Sequence, residues 1–305
     1  MPQTKVTKFA NWWSAFRFRT LFLSFSCIGA GLIEAWLTQG LDYLISVLTL
    51  LTALFLQVLS NLANDYGDSI HGADGKQRKG PARAVSSGAI SASAMKKGMI
   101  VCALLAFVSG LALLYVSLPV IGMSALLLML ALGISGIAAA ILYTNGKRPY
   151  GYAGLGDISV FLFFGLVAVQ GTAFLQSGTW LHDGIYLAIA FGLLSVGVLN
   201  VNNMRDIHSD AQAGKKSIPV RIGLNLARIY HFGVVLIGLL NGLYYAQIKG
   251  LNSYFLLLPF ALFAIHLFKI FKAETESDFD PQLKVLSLST FALMLCLIVI
   301  VYLQA

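Results

Sequence analysis

The feature that most constrains this chain is a series of about nine apolar segments, each long enough for a helix to cross the hydrocarbon core of a bilayer. The 305 residues are 58% hydrophobic and only 11% charged, whereas soluble domains carry about 25% charged residues. The sequence therefore predicts an all-α, multi-pass membrane bundle of about nine transmembrane helices, forming a single domain over residues 1–305. The predicted spans lie near 20–38, 43–63, 93–116, 122–143, 156–176, 184–204, 228–247, 253–272 and 285–303.

Positive charge is sorted to one side of this predicted bundle. The formal net charge is +8, and there are 21 Lys and Arg residues. If successive spans alternate in direction, all of them except Lys249 fall on the same side. Cytoplasmic loops of membrane proteins carry such an excess of Lys and Arg. The positive net charge is therefore explained by the orientation of the chain in a lipid membrane. It does not indicate nucleic acid as a partner.

The second predicted span ends in a cluster of Asn and Asp residues on the positively charged side. Asn61, Asn64, Asp65 and Asp68 recur at intervals of three and four residues, which places them along one face of a helix. Asp74 continues the cluster into the following loop. Ionisable groups at membrane depth indicate a functional site. We therefore interpret this segment as a column of oxygen ligands.

The sixth predicted span ends in a matching cluster on the same side. Asn202, Asp206 and Asp210 lie at positions i, i+4 and i+8 of a predicted helix, about 6 Å apart along its axis. Carboxylates crowded at a membrane boundary favour a cation between them, and oxygen ligands without His or Cys indicate Mg²⁺ or Ca²⁺. A diphosphate is the expected third component, because Mg²⁺ in proteins commonly completes its shell with phosphate and water.

Simpler interpretations of the clusters also exist. Single acids near helix ends commonly cap helices or form weak ion pairs with loop cations, but two matching clusters favour a shared site. A cation transporter could also carry Asp columns in a repeat, although its sites typically lie near the bilayer midplane.

Two other motifs are not supported by the sequence. The run 213–217 lacks the pattern of a phosphate-binding loop. His208 has no partners at zinc-ligand spacing.

Five stretches of the chain resemble the UbiA superfamily of intramembrane aromatic prenyltransferases. They are Asn61–Asp68, Gly80–Gly88, Tyr143–Tyr150, Gly154–Gly165 and the stretch from Asn202 to Lys216. Within the superfamily the chain is most similar to the branch that prenylates 1,4-dihydroxy-2-naphthoate in menaquinone biosynthesis. Members with hydroxybenzoate, homogentisate, haem precursor or glycerol phosphate acceptors share the metal chemistry and are the alternative. The expected location is the bacterial inner membrane, and the Lys and Arg pattern predicts that the N terminus and both clusters are cytoplasmic.

The resemblance and the charge pattern together supply candidate site residues. The predicted Mg²⁺ ligands are Asn64, Asp68, Asp74, Asn202, Asp206 and Asp210. The predicted catalytic residues are Asp68, Asp206, Tyr143 and Lys147. The predicted contacts to the substrates, a polyprenyl diphosphate and an aromatic acceptor, are Arg17, Asn61, Asp65, Lys76, Lys79, Arg83, Arg148, Arg205 and Lys215.

The chemistry that the resemblance implies is alkylation of an aromatic ring by an allylic cation. Mg²⁺ neutralises the diphosphate as the allylic C–O bond breaks. Phe161, Phe163 and Phe164 are candidates to hold the isoprenoid and exclude water, although they would also suit a lipid-facing or packing role. With dihydroxynaphthoate as acceptor, attack at the carboxylated carbon releases CO₂ and diphosphate and gives demethylmenaquinone.

Overall fold

A computed structural model of the chain describes residues 5–72 and 83–304, apart from the side chains of residues 5–7 and 19. Within these ranges the regular structure is entirely helical, as predicted. The elements are α1 (Lys5–Phe16), α2 (Phe18–Gln39), α3 (Tyr43–Ile70), α4 (Ala92–Leu142), α5 (Gly156–Val160), a π-helix (Phe161–Gln170), α6 (Gly171–Ser177), α7 (Gly184–Arg205), α8 (Ile207–Gln212), α9 (Ile218–Ile248), a 3₁₀ turn (Ser253–Leu256), α10 (Leu257–Lys272) and α11 (Glu276–Gln304).

Helix α4 accounts for two membrane crossings. Its 51 residues would extend about 76 Å if straight, far more than a bilayer core of about 30 Å. The backbone leaves helical geometry at Gly122, with φ 74°, and both ends of α4 return to the same part of α3. Gly98 lies against Leu62, and Thr144, just beyond α4, donates a hydrogen bond to the Ala63 carbonyl. The eight apolar helices found among residues 5–72 and 83–304 therefore give about nine crossings, which confirms the predicted architecture.

Helix α7 lies at the centre of the bundle and packs against α2, the π-helix, α9 and α11. It approaches the π-helix so closely that a Cβ added to Gly165 would lie 2.6 Å from the Ala188 carbonyl oxygen. Apolar side chains on nearly all its faces are buried, as expected for a helix surrounded by other helices. These buried residues include Leu187, Phe191, Leu194, Val201 and Met204. The packing fixes the end of α7, where the second cluster begins.

We call the end of the bundle at which α3 and α7 finish the cluster end, and the other end the opposite end. Lys249, the one basic residue that the charge pattern assigned to the other side, lies at the opposite end. Its ammonium group is 3.2 Å from the buried Glu34 carboxylate and 3.0 Å from that of Asp183. Tyr245 donates a second hydrogen bond to Glu34. The exceptional lysine is therefore neutralised by a polar network that joins α2 to α9.

Candidate active site

A cavity of about 400 Å³ lies between α2, α3, α4, the segment 156–177 and α7. On α3 its wall extends from Asp68 to Thr49, a distance of about 28 Å along the helix axis. That length is close to the thickness of the hydrocarbon core. The wall is polar at the cluster end, where it is formed by Arg17, Asn61, Asn64, Asp68, Arg83, Tyr143, Asn202 and Lys215. Deeper in the bundle it is mostly apolar and includes Leu113, Leu114, Leu130, Val167 and Leu175.

The π-helix gives this cavity a continuous wall. In an α-helix, side chains four residues apart drift by about 40° at each step, so a stripe of them turns away from any straight groove. The wider turn of a π-helix offsets the drift. As a result, positions repeating every four residues all reach the cavity, namely Val160, Phe163, Phe164, Val167, Ala168, Gly171, Thr172 and Leu175. Phe161 instead packs against Gly192 of α7.

Asn64 and Asp68 line the cavity from the last turns of α3. The Asn64 side-chain oxygen accepts a hydrogen bond from the Thr144 hydroxyl at 3.3 Å. The Asp68 carboxylate accepts a hydrogen bond from the Tyr152 hydroxyl at 2.9 Å and lies 3.7 Å from the Arg83 guanidinium. Arg83 is also buried in the cavity wall. The cluster therefore presents a carboxylate flanked by a buried cation and a phenol.

The other two members of the first cluster hold neighbouring segments in place. Asn61 lines the cavity and donates from its amide to the Phe16 carbonyl and the Thr20 hydroxyl, both at 2.9 Å. Asp65 is buried and is not among the described residues that line the cavity. Its two oxygens accept hydrogen bonds from the backbone N–H groups of residues 84 and 85, at 3.0 and 3.1 Å. Asp65 thereby fixes the turn that begins with Arg83.

The sequence predicted that the second cluster forms one continuous helical column, but the helix is interrupted within it. Helix α7 ends at Arg205, and Asp206 has non-helical angles (φ −98°, ψ 16°) before α8 begins. Side chains at adjacent positions of a helix do not face each other, yet Arg205 and Asp206 form a bidentate pair at 2.7 and 2.8 Å. The break at Asp206 accommodates this pair. Backbone bonds from Asp206 to Asn202 and from Asp210 to Asp206 keep the four-residue register.

Lys215 brings the two clusters together. Its ammonium group is buried in the cavity wall, 3.3 Å from the Asp210 carboxylate and 5.6 Å from the centre of the Tyr152 ring. Burial alone would lower the pKa of Lys215, but the carboxylates of Asp210 and Asp68 raise it well above its usual range. Burial raises the pKa of Asp210 to about 6, against the opposing effect of Lys215. A permanently charged ammonium group is therefore fixed at the polar end of the cavity.

Two phenols complete this end. Tyr143 lines the cavity, and burial raises its pKa above the usual value. The pKa of Tyr152 is also raised, first by burial and then by the Asp68 carboxylate that accepts its hydrogen bond. Both phenols therefore stay protonated and can donate hydrogen bonds. Tyr152 was not predicted as a site residue; its one sequence signal is its position in the loop between two of the stretches that resemble the superfamily.

Several other predicted residues lie elsewhere. Lys147 and Arg148 are exposed, and neither of them is among the described residues that line the cavity. Arg205 is 1% exposed and lies behind the wall. Asp74, Lys76 and Lys79 lie outside the described residues.

The oxygen donors at the polar end of the cavity suit a divalent cation. Among residues 5–72 and 83–304, no three His, Cys, Asp or Glu side chains converge tightly enough to form a metal site by themselves. One Asp210 oxygen is nevertheless buried without a hydrogen-bond partner among these residues. Asn64, Asp68 and Asn202 line the cavity. Such a set, with hard oxygen donors and places left for phosphate and water, fits Mg²⁺.

The chain belongs to the UbiA prenyltransferase family, whose sequence pattern matches residues 22–291. It is 41% identical over 285 residues to the 1,4-dihydroxy-2-naphthoate octaprenyltransferase of Haemophilus influenzae, covering 92% of each chain. It is 44% identical over 231 residues to the protein of the same name from Escherichia coli, covering 76% of this chain and 74% of that one.

Solved structures share the fold. A UbiA homologue from Aeropyrum pernix superposes with a TM-score of 0.70 at 16% identity, over 93% of this chain and 98% of that one. A UbiA homologue from Archaeoglobus fulgidus, solved with GPP and Mg²⁺ bound, superposes with a TM-score of 0.60 at 18% identity, over 95% and 99% of the two chains.

Proposed function

We propose that the chain transfers a polyprenyl group from a polyprenyl diphosphate to 1,4-dihydroxy-2-naphthoate, with loss of CO₂ and diphosphate. The cavity is the observation that carries this proposal. Its polar end gathers Arg83, Lys215, Asp68 and two phenols, and the whole cavity extends about 28 Å along α3 into a mostly apolar region. A substrate with an anionic head and a long hydrocarbon tail matches both ends.

Asn64, Asp68, Asn202, Asp206 and Asp210 are the described residues that would hold Mg²⁺. Bound there, the ion would neutralise the diphosphate and stabilise it as a leaving group. Arg83 and Lys215 line the cavity and pair with the carboxylates of Asp68 and Asp210, respectively. In the proposed complex these cations turn toward the diphosphate oxygens, because charge-assisted hydrogen bonds to phosphate are strong.

Breaking the allylic C–O bond leaves positive charge on the prenyl group, and water would capture it. The apolar wall that includes Phe163 and Phe164 excludes water from this part of the cavity. The electron-rich ring of the acceptor then forms a C–C bond to the prenyl carbon at its carboxylated position. Release of CO₂ returns the electron pair to the ring, and the product is demethylmenaquinol, the reduced form of demethylmenaquinone.

The choice of acceptor is supported by the relatives rather than by the cavity. Both curated relatives described above are named dihydroxynaphthoate octaprenyltransferases, and the stretch Gly154–Gly165, which carries the sequence resemblance, includes part of the cavity wall. The Archaeoglobus fulgidus homologue was solved with a prenyl diphosphate and Mg²⁺. These observations favour dihydroxynaphthoate as the acceptor and Mg²⁺ as the cofactor.

The location proposed for this activity is the bacterial inner membrane, with the cluster end facing the cytoplasm. The concentration of Lys and Arg at that end supports this orientation. The chain is proposed to act as a single domain over residues 1–305, because helices from both halves form the walls of one cavity.

The decisive experiment is to incubate purified protein with Mg²⁺, dihydroxynaphthoate and a series of prenyl diphosphates, and to identify the products by mass. We expect a prenylated naphthoquinol, and no product when EDTA removes the metal. Asp68→Asn should abolish turnover. Asp42→Asn is the matched control, because Asp42 caps the opposite end of the same helix and Asn is also a good cap. Prenylation of hydroxybenzoate in place of dihydroxynaphthoate would overturn the acceptor assignment.

A further inference from the structure

Arg205 is an almost fully buried arginine, 1% exposed, and its guanidinium group contacts three side chains. It donates to both carboxylate oxygens of Asp206 at 2.7 and 2.8 Å and to the Asn202 side-chain oxygen at 2.8 Å. A further N–H donates to the Asp280 carboxylate at 2.7 Å. Asn202 and Asp206 are predicted metal ligands, whereas Asp280 belongs to α11, outside every stretch that carried the sequence resemblance.

This arrangement does not suit the role of substrate contact that the sequence suggested for Arg205. The side chain lies behind the cavity wall, and four hydrogen bonds to three partners hold it there. Withdrawing a buried arginine from such partners would leave buried charges uncompensated, which is strongly unfavourable. Arg205 is therefore a fixed part of the second cluster.

We infer that Arg205 and Asp280 form a positioning pair, which orients the oxygens of Asn202 and Asp206 toward the bound cation. This inference rests on the proposed function, since it concerns the same metal site. A carboxylate can accept about four contacts through its lone pairs, so bidentate pairing with Arg205 does not by itself exclude a metal. Hydrogen bonds from outside the coordination shell commonly fix the orientation of metal-binding carboxylates. Helix α11 thereby becomes part of the metal site.

The charge of Asp280 has a specific effect in this pair. Arg205 carries one positive charge and contacts the carboxylates of both Asp206 and Asp280, so its charge is shared between them. Without the charge on Asp280, Arg205 would compensate Asp206 more completely, and the oxygens of Asp206 would bind a cation less strongly. The alternative is that Arg205 competes with the metal for the Asp206 carboxylate. In that case, a substitution that removes the bidentate contact of Arg205 with Asp206 should tighten metal binding.

The test is cation binding to the full-length protein in detergent micelles, without prenyl substrate. Mn²⁺ is titrated in the presence of inorganic diphosphate, and the bound ion is followed by electron paramagnetic resonance. Asp280→Asn keeps the shape and an accepting oxygen but removes the charge, and we expect binding to weaken about 10–100-fold. Asp280→Glu should recover most of the affinity. Arg205→Lys, which retains the charge but loses the two-pronged contact, should also weaken binding.

Glu276→Gln is the matched control. Glu276 lies one turn before Asp280 in the same helix and contacts the exposed His208, so its neutralisation should leave Mn²⁺ affinity unchanged. Thermal unfolding of each variant identifies any that fail to fold. Wild-type affinity in Asp280→Asn, tighter binding in Arg205→Lys, or no Mn²⁺ binding by the wild type would overturn the inference. If Mn²⁺ binds as expected but no prenylated naphthoquinol forms in the activity assay, the proposed function fails and the positioning pair stands.

Discussion

Gly67 lies inside the first cluster, between Asp65 and Asp68, and the structure shows why a larger residue should impair the site. A Cβ at position 67 would lie 2.5 Å from the backbone oxygen of Thr144, whereas ordinary contact begins near 3.4 Å. Gly67→Ala therefore requires α3 and the loop after α4 to separate by about 0.9 Å. That loop carries Tyr152, which hydrogen-bonds Asp68. A misplacement of about 1 Å at a catalytic site can cost about 100-fold in rate.

The stability effect of the same change should be small. Overpacking costs about 1–3 kcal/mol, and alanine recovers about 0.5–1 kcal/mol of helix propensity relative to glycine. We expect folded Gly67→Ala protein with kcat lowered about 100-fold, measured by product mass under saturating substrates and checked by thermal unfolding. Gly233→Ala is the control, because its Cβ meets no atom within 4 Å. Wild-type kcat in a folded Gly67→Ala protein would refute the argument that this contact positions the site.

Three further changes test other parts of the structure. Tyr152→Phe removes one hydrogen bond to the Asp68 carboxylate. Because a hydrogen bond to a charged group contributes about 1.5–3 kcal/mol, kcat/KM should fall about 10-fold or more. An unchanged kcat/KM would argue against a role for the phenol. Lys215→Met should reduce turnover far more than Lys147→Ala, because Lys215 is buried in the cavity wall and Lys147 is exposed; steady-state kinetics of the two variants would show a reversed order if the loop lysine carries the diphosphate. Glu34→Gln weakens the polar network at the opposite end. The change should lower the free energy of unfolding by about 2 kcal/mol and leave KM unchanged. A loss of activity without a loss of stability would contradict the structural role of Glu34.

The sequence predicted the architecture because its signals are local and strong. Apolar segments of membrane-spanning length predict helices, since every backbone polar group in lipid must be satisfied within the segment or in a closed barrel. The charge pattern likewise placed Lys249 apart from the other basic residues. The two clusters could be recognised because Asn and Asp at helical spacing are costly within apolar spans. The cluster residues Asn64, Asp68 and Asn202 indeed line one cavity.

The particular role of each charged residue could not be predicted in the same way. Asp65 and Asp68 are three residues apart and chemically identical, yet Asp65 accepts two backbone N–H groups and Asp68 faces the cavity. Among the basic residues, Lys215 is buried in the wall and Lys147 is exposed. Composition and spacing do not separate these cases, because the partner of each side chain belongs to a segment distant in sequence.

The sequence by itself determined the helical membrane bundle, the positions of its spans and the two clusters, because hydropathy and helical spacing act within about 20 residues. Only the tertiary structure decided how the site is assembled. The contact of Tyr152 with Asp68 and that of Asp280 with Arg205 join residues 84 and 75 positions apart in the chain. The π-helix likewise packs closely against α7 at Gly165. Such contacts depend on which helices become neighbours, and that is fixed by the packing of the whole bundle.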